Sequence, residues 1–109
     1  MKFKTHNETD INAVGTWGRG RIETTYARLV EVFGEPFHDT CGHKVDWEWT
    51  IEFTDDDETI IATIYNWKNG PNYCGDEGEH CTDITEWNVG GSSGWSLALV
   101  REALAGGGA

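Results

Sequence analysis

The side chains best able to do chemistry in this chain are its thiols and imidazoles. Cys41 and His43 lie in Asp39-Thr40-Cys41-Gly42-His43, and Cys74, His80 and Cys81 lie in a glycine-rich stretch further on. Two to four such ligands on facing loops can hold zinc. An antiparallel hairpin between the two stretches would bring Cys41 or His43 toward Cys74. The chain has no CxxC pair, however, and the spacing from Cys74 to Cys81 matches no standard zinc motif. Three cysteines cannot all pair within one chain, and a reducing cytoplasm disfavours disulfides. The reading is inert thiols with no resident metal or cofactor; zinc and a Cys41–Cys74 contact are the alternatives.

Carboxylates are the second candidate. Asp46, Glu48 and Glu52 fall on one face of an alternating run, and Asp55, Asp56, Asp57 and Glu58 follow at its end. Paired carboxylates hydrolyse glycosidic bonds or hold a hard cation. Here they alternate as the solvent side of a half-buried strand, and so small a chain offers little wall for a substrate cleft. The aspartate run also lacks the glycine and ligand spacing of a calcium loop. The expectation is therefore that the protein is not an enzyme. Gly90-Gly91-Ser92-Ser93-Gly94 precedes a helix start, where backbone amides can cradle a phosphate with help from Arg19, Arg21 or Arg28. That stretch lacks the lysine of a phosphate-binding loop and reads as a plain strand-to-helix turn.

The six tryptophans divide by position. Trp47, Trp49, Trp67 and Trp87 fall in strand positions and read as sheet packing. Trp17 and Trp95 sit in or beside loops, where core packing competes with a role as interface anchors.

The elements that must position these residues follow from periodicity. Tyr26, Leu29, Val30 and Phe33 form one helical stripe, capped by Thr24 or Thr25 and stopped at Gly34. Val45, Trp47, Trp49, Ile51 and Phe53 alternate with polar residues, which predicts a strand with one buried face. After the polar turn at 54–58, residues 59–67 are rich in Ile, Thr, Tyr and Trp, apolar on both faces, and predict a central strand. Residues 69–80 form a long turn-rich loop, 84–89 a third strand, and 94–104 a final helix with Leu97, Val100 and Leu104 on one stripe. The prediction is an α+β fold, an antiparallel sheet of at least three strands with two helices on one face. It is a single domain over 1–109, with an irregular segment at 1–20, a short strand near 1–6 or 20–22 being the alternative there, and a frayed tail at 105–109.

Charge is uneven along this frame. The formal net charge is -11 over 109 residues. Residues 1–30 carry five basic and three acidic groups, residues 31–87 two and fifteen, and residues 88–109 one of each. The middle therefore holds the whole deficit. Such a field repels nucleic acid and anionic membrane surfaces, and steers the chain toward a basic partner. No apolar run is long enough to span a membrane. Solubility alone is the plainer explanation of the charge.

Four segments carry a resemblance. Leu29-Val30-Glu31-Val32-Phe33-Gly34-Glu35-Pro36, Trp47-Glu48-Trp49-Thr50-Ile51-Glu52-Phe53, Ala62-Thr63-Ile64-Tyr65-Asn66-Trp67-Lys68 and Ile84-Thr85-Glu86-Trp87-Asn88-Val89-Gly90-Gly91 resemble a widespread family of small bacteriophage-encoded accessory proteins. The likeness covers about residues 20–104. The tip at Asp55 to Glu58 departs from it, being denser in acid than the tighter, often glycine-bearing turn of the family. The resemblance implies a phage protein in the host bacterial cytoplasm. By analogy it implies an inhibitor of a host defence or nucleic-acid-handling protein with a basic groove, such as a CRISPR effector, in the manner of anti-CRISPR proteins. Asp55, Asp56, Asp57, Glu58, Asp76, Glu77 and Glu79 would stand in for nucleic-acid phosphates, with Trp17 or Trp95 adding desolvated contact. Two alternatives belong to other classes. One is a sponge for a nucleotide immune signal, using Arg28 and the Gly90-Gly91 turn. The other is a self-associating structural or virion protein, including a homodimer.

Overall fold

A computed structural model describes residues 2–7, 17–38, 45–67 and 69–106. The elements in chain order are β1 (Lys2–Thr5), β2 (Trp17–Glu23), α1 (Tyr26–Phe33), β3 (Phe37–His38), β4 (Trp47–Thr54), β5 (Thr59–Tyr65), α2 (Pro71–Cys74), β6 (Glu86–Gly91) and α3 (Ser96–Ala105). Short 3-10 turns at Gly75–Glu77 and Cys81–Asp83 connect α2 to β6.

The strands form one six-stranded sheet in the order β1-β4-β5-β6-β2, with β3 also pairing β4. Every pairing is antiparallel, so the α+β reading holds and the sheet is larger than the sequence pattern requires. The hairpin of β4 and β5 runs in register from Glu48↔Tyr65 to Thr54↔Thr59. β5 is central, as its two apolar faces predict.

Because side chains alternate across a strand, the register sorts the sheet into two faces. Trp49, Ile51 and Phe53 share one face with Ile60, Ala62, Ile64 and Val89, and all are buried. α1 meets this face through Tyr26, whose ring lies 5.8 Å from that of Trp49, and through Phe33, 5.4 Å from Phe3. The Trp49 indole donates to the Gly34 carbonyl at 2.7 Å. Trp49 and Trp87 meet edge-on at 5.3 Å and are fully buried. Such a contact adds about 1 kcal/mol beyond the area it removes from water.

α1 begins where Thr25 Oγ1 accepts from the Arg28 amide at 3.2 Å. It ends at Gly34, whose φ of 80° lets its amide return to Val30 O at 2.8 Å. α3 packs closely on the sheet through Ser96 and Leu97. Ser96 Oγ donates to Ile61 O at 2.9 Å, directly over Gly91. Arg28 bridges the helices by donating to Leu104 O near the C-terminal end of α3, where a cation meets the negative end of the helix dipole.

Three details differ from the sequence reading. β1 and β2 both form, at the two ends of the sheet, where the sequence left only a short strand near 1–6 or 20–22 as an alternative to irregular structure. Gly90 and Gly91 belong to β6, which runs past Val89 and ends at Gly91. β5 stops at Tyr65, so Trp67 lies outside the strand and is 47% exposed, where sheet packing was expected.

Candidate partner-binding surface

The first acidic group caps the β4–β5 hairpin. Asp55 Oδ1 accepts from the amides of Asp57 at 2.9 Å and Glu58 at 2.8 Å, and the Asp55 amide donates to Glu58 O at 3.0 Å. Asp55 therefore builds the turn, an Asx arrangement that needs its carboxylate. Asp56, Asp57 and Glu58 are exposed on it.

The second group sits on the loop after β5. Asp76 and Glu77 lie in the 3-10 turn Gly75–Glu77, Glu79 follows, and all three are exposed. A buried polar clasp fixes this loop. Asn66 Oδ1 accepts from the amides of Asp46 at 2.8 Å and Trp47 at 3.0 Å. Its Nδ2 donates to Asp46 Oδ1 at 3.0 Å and Asn69 Oδ1 at 3.1 Å. Asp46 Oδ2 accepts from the Asn72 amide at 2.9 Å, and Asn72 Nδ2 donates to Val45 O at 2.9 Å. The Glu79 amide donates to Asn69 O at 2.7 Å, which ties the acidic turn back to the segment that carries Trp67. Buried polar groups satisfied in this way rigidify a loop.

The seven acidic residues named from the sequence thus form two groups. The hairpin tip lies at one end of the β4–β5 pair and the 69–83 loop at the other. Six strand steps from Thr54 to Glu48 separate the ends by about 20 Å. Between them, Glu52 stands opposite Lys4 in register and 3.9 Å from His6 Nε2.

Aromatic groups accompany both ends. Trp95, 68% exposed, precedes α3 on the half of the sheet nearer the tip, since the Ser92 amide reaches Ile61 O at 2.9 Å. At the loop end stand Trp67 and Tyr73, the latter 54% exposed. The rings of Trp67 and Tyr65 meet in a T-shaped contact, 6.2 Å between centroids. Trp17 opens β2 opposite Gly91; the surroundings of its side chain lie outside the described residues. Trp67 and Tyr73 are absent from the site residues named from the sequence. Period two does place Trp67 on the Tyr65 face, and the turn-forming Asn69-Gly70-Pro71 signals that the strand has ended before it.

The residues that could do other chemistry are engaged elsewhere. The amides that the sequence offers as a phosphate cradle after β6 are bonded internally, Ser92 to Ile61 O, Trp95 to Ser93 Oγ at 3.1 Å and Ser96 to Ser93 O at 3.1 Å. Arg28 bridges Glu31 and Leu104 O, and Arg21 pairs with Glu86 at 2.8 Å. Cys74 is exposed, and Cys81 is buried as a free thiol. Among the described residues no three His, Cys, Asp or Glu side chains converge as a metal site; Cys41 and His43 lie outside those residues. Cys81 lies beside Tyr26 and Glu35. The Tyr26 hydroxyl donates to Glu35 Oε2 at 3.2 Å. Burial first, then the neighbouring Cys81 and Glu35, pushes the Tyr26 pKa up to about 12, and burial pushes the Cys81 thiol up as well.

Among the described residues no helix is long and apolar enough to cross a membrane. No protein-family model matches the chain, and no curated protein or solved structure matches it either.

Proposed function

We propose that this is a non-enzymatic phage protein of the host cytoplasm. In this reading it binds and blocks a host defence or nucleic-acid-handling protein, of the CRISPR-effector kind, by docking two acidic ends on a basic groove. The observation that carries the reading is the rigid presentation of exposed carboxylates at both ends of one hairpin, on a turn built by Asp55 and a loop clasped by Asp46 and Asn66. Spacing of about 20 Å matches a groove that normally follows several nucleotide steps. Exposed charges of this type speed encounter and choose the partner more than they add affinity, so the aromatics beside them supply the desolvated contact.

The test uses the immobilised protein and a host fraction of nucleic-acid-binding proteins. The reading expects a protein to be retained at low salt and displaced by short duplex DNA. Two variants should lose it, Asp56→Asn/Asp57→Asn/Glu58→Gln and Asp76→Asn/Glu77→Gln/Glu79→Gln. Equal retention by both variants, or indifference to DNA, would overturn the reading.

A further inference from the structure

We infer that Asn69 is a site of self-modification, whose conversion to isoaspartate unfastens the long loop from the hairpin. The reaction is independent of docking, since every group it needs belongs to this chain or to water.

The sequence puts the reacting pair together. Asn69-Gly70 is the single Asn-Gly or Asp-Gly step in the chain. Glycine has no side chain to hinder approach to its own amide nitrogen. The Gly70 carbonyl accepts from the amides of Tyr73 at 3.2 Å and Cys74 at 2.9 Å, while its N–H donates to no group among the described residues. The Asn69 carboxamide is held at its oxygen. Oδ1 accepts from Asn66 Nδ2 at 3.1 Å, and Nδ2 has no partner among the described residues. Nucleophile and leaving group are therefore both unengaged, and the bond from Asn66 restrains the carbonyl carbon between them.

The chemistry balances with water as its co-reactant. The Gly70 nitrogen loses its proton and bonds to Asn69 Cγ. The Cγ–Nδ2 bond breaks, and Nδ2 leaves as ammonia with that proton. Water then opens the cyclic imide. Attack at Cγ gives aspartate; attack at the main-chain carbonyl carbon gives isoaspartate, with an extra carbon in the backbone. No electrons are exchanged.

The clasp governs both rate and outcome. Asn66 draws Oδ1 back toward itself, whereas ring closure carries Cγ forward to the Gly70 nitrogen. The closed loop therefore slows the reaction, which proceeds when this bond opens. Asn69 is half-buried, within reach of water once it does. Isoaspartate does not fit the closed loop. Gly70 is buried, and a Cβ there would lie 2.1 Å from Asp46 Oδ1 and 2.7 Å from Asn66 Nδ2. Asp46 and Asn66 are themselves fixed by buried hydrogen bonds. A longer backbone at this point has to displace them, so the modified loop leaves the clasp and does not return.

The test incubates the full chain in mildly alkaline buffer and maps its asparagines by mass spectrometry, with isoaspartate distinguished by fragmentation. Asn69 should convert while the other asparagines stay intact. Conversion should be several-fold faster in urea and in Asn66→Ala, and absent in Asn69→Gln. The isoaspartate fraction should lose hydrogen-exchange protection at the Asn72 and Glu79 amides and keep it in the β4–β5 hairpin. Asn69 remaining intact over the time that converts it in urea would overturn the inference. So would an Asn66→Ala rate no faster than the native one, or an isoaspartate fraction whose loop stays protected. If Asn66→Ala unfolds, the protection of the native chain's isoaspartate fraction decides alone.

Discussion

Asn66 and Asp46 form a closed pair at the root of the long loop. Asn66 Oδ1 takes the Asp46 amide at 2.8 Å, and Asn66 Nδ2 gives a hydrogen bond back to Asp46 Oδ1 at 3.0 Å. Both residues are essentially out of water. The pair ends the hairpin ladder, anchors the acidic loop and sets the direction of Trp67.

Asn66→Ala leaves the buried amides of Asp46 and Trp47 and the Asp46 carboxylate short of partners. A buried unsatisfied group costs about 1–3 kcal/mol. The expected loss is therefore about 3 kcal/mol, read as a lower denaturant midpoint with the fold retained. A loss below about 0.5 kcal/mol, typical of an ordinary surface change, would show that the clasp is dispensable.

How much of this was legible in the sequence depends on what each residue's neighbours require. The β4–β5 hairpin was readable because one face of β4 is buried, and a slip of one residue would expose Trp49, Ile51 and Phe53 together. β2 was legible only as an optional short strand near 20–22, because its glycines read as turn residues. In the structure Gly20 has a φ of 144° and a Cβ there would meet Leu97 Cδ2 at 2.9 Å, so the glycine admits α3 against a strand. Gly91 was misread for the same reason. The acidic residues were named from charge alone; a one-dimensional count cannot show that the hairpin carries them to opposite ends. Trp67 was assigned to packing because apolar content continues past Tyr65, while the strand-ending role of Asn66 depends on a partner twenty residues away.

Gly91 yields a test of the α3 contact. A Cβ at Gly91 would lie 2.1 Å from Ser96 Oγ and 2.8 Å from Ile61 O. Overpacking of this kind costs about 1–3 kcal/mol. Gly91→Ala should destabilise by that amount. Adding Ser96→Gly should cost less in the Gly91→Ala background than in the native chain, measured as a non-additive double-mutant cycle. Strict additivity would place the strain elsewhere.

Tyr26 predicts an alkaline dependence. Its pKa rises from 10.0 to about 12 on folding, so the fold favours the neutral phenol. The stability it contributes is fully present below pH 10.0, and is lost as pH climbs from there through about 12. Tyr26→Phe should flatten that part of the stability–pH curve, measured by denaturant unfolding at stepped pH. An identical slope in the variant would contradict the assignment.

The two acidic ends should act independently. Their separation of about 20 Å exceeds twice the Debye length of about 8 Å at physiological salt. Once a partner is in hand, the losses from neutralising Asp56, Asp57 and Glu58 and from neutralising Asp76, Glu77 and Glu79 should add within about 0.5 kcal/mol. Strong coupling would mean that the partner bends the hairpin.

The salt dependence of affinity for the retained host protein tests docking by charge most directly. Titrations from about 50 to about 300 mM salt should show the native chain weakening steeply. The variant neutralised at both ends should bind weakly, with a nearly flat response. Equal affinity and equal slope in the two chains would contradict docking through the acidic ends.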